Sequence, residues 1–112
     1  LKSLEKIVNT SYVKGSKSTL SGAIQRDVMQ ENTNQLEFIK ELENITNTKI
    51  LKEKRGGVSD ANIVASCDVT TLDGFGPFGD GDHTINERAL KNSFISRIEL
   101  MTKILNHFQK NI

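Results

Sequence analysis

The 112-residue sequence has no tryptophan, and only one tyrosine, one proline and one cysteine. A lone thiol, Cys67, cannot close an internal disulfide, so no disulfide framework holds this chain. That usage is compatible with a reducing compartment such as the cytoplasm. Charge of one sign is also lacking: 15 Lys+Arg stand against 14 Asp+Glu, a formal net charge of +1. This balance excludes the broad basic surface that holds nucleic acid or an anionic membrane. No apolar run approaches the roughly 18 residues of a membrane span. The opening Leu1-Lys2-Ser3-Leu4-Glu5 has no signal-peptide pattern, and a start on leucine fits a piece trimmed from a longer polypeptide. Paired metal motifs of the His-x-x-x-His or Cys-x-x-Cys type are absent, so local spacing alone marks no zinc site.

What is present is the composition of a globular chain, with 36% hydrophobic and 26% charged residues, enough for one modest core. Leu1, Leu4, Ile7 and Val8 predict an amphipathic helix within 1–13, stopped by Gly15. Leu20, Gly22, Ile24, Arg26 and Val28 alternate with smaller or polar residues and predict a half-buried strand over 18–29. Arg26 falls on its apolar face. Either its stem packs while its head reaches solvent, or its guanidinium is held to grip a carboxylate. Residues 30–34 are turn-like and divide two units. Beyond them Leu36, Ile39, Leu42 and Ile45 predict a helix ending near Asn47, followed by a short strand over 48–53. Asn62–Cys67 reads as a short apolar helix or buried segment, and 70–73 as a brief strand. The longest helix is predicted over 88–111. Its core stripe is Phe94, Ile98, Met101, Leu105 and Phe108, widened by Ile95 and Ile104. Helix, strand and glycine loop in succession predict an α/β unit.

Six of the eight glycines lie between Arg55 and Glu87, with the proline, the cysteine and one of the two histidines. In Arg55-Gly-Gly-Val-Ser-Asp-Ala-Asn62, two glycines lead to Ser59, placed as a helix N-cap, with Asp60 in the first turn. Such a turn presents backbone N–H groups and the positive end of a helix dipole, which suits a carboxylate or phosphate; equally, it is an ordinary capped turn. It has neither the Walker ending nor the glycine spacing of a dinucleotide fingerprint. In Asp73-Gly-Phe-Gly-Pro-Phe-Gly-Asp-Gly-Asp-His83-Thr, the glycines and the proline rule out regular structure and suit a rigid loop that fixes one side chain. The candidate is His83, as a metal ligand near Asp80, Asp82 and Glu87, or as a solvated imidazole. His107, beside Phe108, reads as surface or core edge.

The two loops, in this order and at this separation, resemble the C-terminal part of the di-zinc aminoacylase and carboxypeptidase family, which includes glutamate carboxypeptidase, acetylornithine deacetylase and succinyl-diaminopimelate desuccinylase. The resemblance covers residues 55–112 through Gly56–Asn62, Thr71–Pro77 and Gly79–Glu87, followed by a long terminal helix. It implies an α/β fold: residues 31–112 as the C-terminal part of a zinc-peptidase-like catalytic domain, and residues 1–30 as the last helix and strand of an α+β lid, or dimerisation, domain. It implies that His83 is a zinc ligand and that Glu87 supports its loop. It implies that Gly56, Gly57 and Ser59 line the substrate pocket, with Arg26 the nearest match to an arginine that grips substrate carboxylate. The family's proline beside that arginine is replaced by Asp27 and Val28, and its usual glycine and alanine by Asp80 and Asp82.

The activity implied is that of a hydrolase, a metallopeptidase or deacetylase cleaving amide bonds of small peptides or N-acyl amino acids. Two zinc ions serve the complete site, with cobalt or manganese as alternatives, and the parent pairs through its lid. The other metal ligands and the general base lie upstream of this sequence in the family. No catalytic residue is therefore expected here, and the isolated chain is expected to be inactive. Two further readings are a non-catalytic anion-binding α/β module built on the Ser59 helix, and a family member that has lost its metal and serves as a binding protein.

Overall fold

A computed structural model describes residues 1–110. The elements run α1 (Lys2–Val8), α2 (Thr33–Thr46), α3 (Asp60–Ala65), β1 (Gly79–Asp80), β2 (Arg88–Ala89) and α4 (Lys91–Gln109). The α2 helix begins with a reciprocal cap. Asn32 Oδ1 accepts the Gln35 N–H at 3.0 Å, and Gln35 Oε1 accepts the Asn32 N–H at 2.9 Å. It ends on Asn47 in the left-handed conformation, φ 49°, a conformation asparagine adopts more readily than most residues. Gln35 also donates from Nε2 to the Thr71 carbonyl at 3.0 Å, which ties the approach to the second loop onto α2.

The core lies between α2 and α4. Leu42 and Ile104 are its only buried hydrophobic residues among those described, and the Phe38 and Phe108 rings meet at 6.2 Å between centroids. On α4 the side that meets α2 carries Ile104 and Phe108. Phe108 belongs to the predicted stripe and Ile104 to its widened edge, but the stripe is centred about a sixth of a turn away, and Phe94, Ile98 and Leu105 on it are exposed. The periodicity marks an apolar face that the described residues do not cover.

The predicted strands over 18–29, 48–53 and 70–73 do not form. A strand is made by the ladder to its neighbour, and the one ladder among the described residues is the antiparallel β1–β2 pair. The first helix also stops at Val8, short of the predicted Val13, where Asn9 caps it and Thr10 Oγ1 donates to the Lys6 carbonyl. It buries none of its residues.

The radius of gyration is 20.4 Å, against about 13 Å for a compact domain of this length. The accessible surface is 9955 Å², against about 6,200 Å² for a folded monomer of this mass. Four helices, only two of them longer than seven residues, a small hairpin and long irregular connections do not enclose a domain core. No helix among the described residues is long and apolar enough to cross a membrane.

Candidate functional site

The first loop enters α3 through a cap of the same reciprocal kind. Ser59 Oγ accepts the Ala61 N–H at 3.2 Å, and Asn62 Oδ1 accepts the Ser59 N–H at 3.0 Å. Serine with a side-chain acceptor three residues on is the local reason the helix starts there. Ser59 Oγ then donates to Asp73 Oδ2 at 2.6 Å, and Asp73 Oδ1 accepts the Gly74 N–H at 2.7 Å. Asp73 thereby joins the two glycine loops. It also uses the one proton Ser59 can donate, so that hydroxyl has no donor left for a substrate carboxylate. Among the described residues the main-chain N–H groups of Gly56, Gly57 and Val58 in this turn have no acceptor. A Cβ added to either glycine would meet nothing within 4 Å. The folded chain itself therefore gives no steric reason for glycine at those positions, whereas close approach of a ligand to the backbone would give one.

Arg26 is brought to the same place. Its Nη2 donates to Asp60 Oδ1 at 3.0 Å, with 38% and 89% of the two side chains exposed. The Asp27 carbonyl accepts from Asn62 Nδ2 at 2.8 Å. Arg26 thus grips a carboxylate, but that of Asp60. An ion pair this open to solvent is worth well under about 1 kcal/mol. Asn62 is buried and serves both the cap and the Asp27 carbonyl. We expect Asn62→Ala to cost about 1–3 kcal/mol and to free the 26–27 segment, while Arg26→Ala leaves it docked. Amide exchange of Asp60–Ala65 and backbone relaxation at Asp27 report both.

The second loop is a hairpin closed by β1 and β2. Asp80 faces Arg88 across the ladder. Arg88 donates from Nε to Asp80 Oδ1 at 2.7 Å and from Nη2 to Asp80 Oδ2 at 3.1 Å, a two-bond fork. The hairpin is fixed to the start of α4. The Phe78 N–H donates to Ser93 Oγ at 3.0 Å, and the Leu90 N–H donates to the Phe78 carbonyl at 3.0 Å. At the tip, the Thr84 N–H and hydroxyl both donate to the Gly81 carbonyl, at 3.1 and 2.7 Å.

His83 sits on this tip with φ 63°. A histidine in the left-handed region is uncommon and stays there only where its surroundings hold it. Glu87 supplies part of that hold, its Oε2 accepting the His83 N–H at 3.1 Å. His83 is exposed, and its imidazole has no hydrogen-bond, ion-pair or ring partner among the described residues. Asp80 is engaged by Arg88, while Asp82 is exposed and without a side-chain partner. Among the described residues no three His, Cys, Asp or Glu side chains gather as metal ligands. These residues offer one imidazole where zinc takes three or four protein ligands. They do not fit a complete metal centre.

The structure thus links Arg26, Asp60, Ser59 and Asp73 in one bonded cluster around α3, and places His83 with Glu87 on a separate hairpin tip. Sequence reasoning passed over Asp73 and the second function of Asn62. The spacing Ser59-x-x-Asn62 carried the cap signal for Asn62, whereas nothing local in the sequence pointed from Asp73 to Ser59. Comparison of the chain with protein-family models, with curated proteins and with solved structures gives no match.

Proposed function

We propose that this chain is the C-terminal part of a zinc-dependent metallopeptidase or amidohydrolase that acts on small peptides or N-acyl amino acids. The observation that carries this reading is the hairpin tip. The chain spends two glycines, a left-handed histidine and a bracing glutamate on presenting one exposed imidazole, in a loop that, after the Gly56–Gly57 turn, resembles the family pattern apart from Asp80 and Asp82. In the α/β fold this implies, the segments 18–29 and 48–53, which form no ladder among the described residues, would pair with the rest of a sheet. In the complete enzyme His83 would be one zinc ligand, Glu87 its positioning residue, and the Gly56 and Gly57 N–H groups donors to the substrate carboxylate. No catalytic step is assigned to residues of this chain. The anion-module reading is disfavoured by Asp73, whose carboxylate already occupies the Ser59 hydroxyl beside that turn.

Zinc calorimetry tests the proposal. The 112-residue chain alone is expected to show no tight stoichiometric site, because it lacks the other ligands. Joined to its upstream polypeptide it is expected to bind two ions. Tight binding of two zinc ions by the isolated chain, or of none by the longer polypeptide, overturns the reading.

A further inference from the structure

Three of the four arginines end on carboxylates: Arg26 on Asp60, Arg55 on Glu53 and Arg88 on Asp80. Arg97 does not. Its helix offers no acidic residue three or four positions away on either side: Ser93, Phe94, Leu100 and Met101 stand there. Its Cζ lies 5.2 Å from the centroid of the Phe78 ring, and its buried Nε has no hydrogen-bond partner among the described residues. The ring holds the guanidinium in place without satisfying its in-plane donors. Phe78 is itself fixed, through its backbone, by Ser93 of the same helix.

Arg97 lines a cleft of about 420 Å³ between the Thr48–Leu51 segment, the Asp73–Phe78 loop and α4. That volume suits a small organic molecule. Ile50, Phe75 and Leu100 give it apolar walls, and Lys49 and Lys103 add two cations. Its two carboxylates are Glu99 and Asp73, the latter held by Ser59 and the Gly74 N–H, and against three cations they leave the lining with a net charge of +1. We propose that this cleft binds a small carboxylate with an apolar or aromatic body, the carboxylate on the Arg97 guanidinium and the body against Phe75 and Leu100. The planar guanidinium over the Phe78 ring, with Nη donors that have no partner among the described residues, matches a carboxylate better than a flexible ammonium does. His83 does not line this cleft, so the site stands whether or not the parent is a zinc hydrolase.

Phenylacetate, titrated into the isotopically labelled 112-residue chain, tests the assignment through the Arg97 Nε–H and Phe78 ring resonances. Saturable shifts of both are expected, while the Arg55 signal stays still. Phenylacetamide, which keeps the body and loses the charge, is expected not to bind. Arg97→Gln should weaken phenylacetate about tenfold or more. Phe75→Ala, which leaves Arg97 in place, should weaken phenylacetate but not acetate. Non-saturating shifts, equal binding of phenylacetamide, or unchanged affinity in Arg97→Gln overturns the site. Inorganic phosphate binding as tightly as phenylacetate overturns the ligand class. Absence of any contact between Arg97 and the Phe78 ring in the free chain overturns the cleft itself.

Discussion

Gly79→Ala is expected to open the hairpin and release His83 from its fixed position. A Cβ at Gly79 would collide with the carbonyl oxygen of Arg88 and lie 2.8 Å from Ala89 Cα. Both are backbone atoms of the partner strand, so no rotamer change relieves the collision. Overpacking of this kind costs about 1–3 kcal/mol in a core, and a two-stranded hairpin has little stability to lose. The ladder should therefore part, and with it the Asp80–Arg88 fork. Amide exchange makes the outcome visible: protection at His83 and Leu90 should vanish, while α2 keeps its own. Gly76→Ala is the control, because its Cβ would meet nothing within 4 Å and its φ is not positive. Equal protection in both variants would show that close approach at Gly79 does not hold the loop.

Under the proposed zinc-hydrolase reading, His83→Ala in the parent enzyme should reduce amide hydrolysis by about a thousandfold or more, since a metal centre contributes several kcal/mol to transition-state stabilisation and each 1.36 kcal/mol is a factor of ten. The same variant should lose bound zinc. The side chain is exposed and has no hydrogen-bond, ion-pair or ring partner among the described residues, so any structural effect should be confined to the hairpin tip, where alanine takes the left-handed conformation less readily. Loss of turnover would then report the imidazole itself. Glu87→Gln keeps an oxygen to accept the His83 N–H and removes only the charge, so a smaller loss of about 10–100-fold is expected, the size seen when groups that orient metal ligands are altered. Unchanged turnover in His83→Ala would remove His83 from the list of ligands and the zinc reading with it.

The helices were largely legible, because a helix satisfies its own backbone. The apolar spacing through Leu36, Ile39, Leu42 and Ile45 needed only Asn32 and Asn47 to set its ends. The strands were not, because alternation at Leu20, Ile24 and Val28 records which face would be buried but cannot supply the neighbour that makes a ladder. The stripe on α4 failed in the same way: Phe94, Ile98 and Leu105 lie on one face, yet burial depends on what faces them. Within the candidate site, Ser59 as a cap follows from three neighbouring residues. The Ser59–Asp73 and Arg26–Asp60 bonds join positions far apart in sequence, and no local rule reaches across such gaps. The Asp80–Arg88 fork lies between these cases, eight residues apart and dependent on the hairpin register.

The surface that the connecting segments leave open has a calorimetric consequence. A chain of this mass exposes about 18,100 Å² when unfolded. With 9955 Å² already exposed when folded, unfolding uncovers only about two thirds of what a compact domain would. The heat-capacity increment and the urea slope both follow that newly exposed area. The isolated chain should therefore melt over a wide temperature range with a shallow urea transition. A polypeptide that covered the α4 stripe would sharpen both.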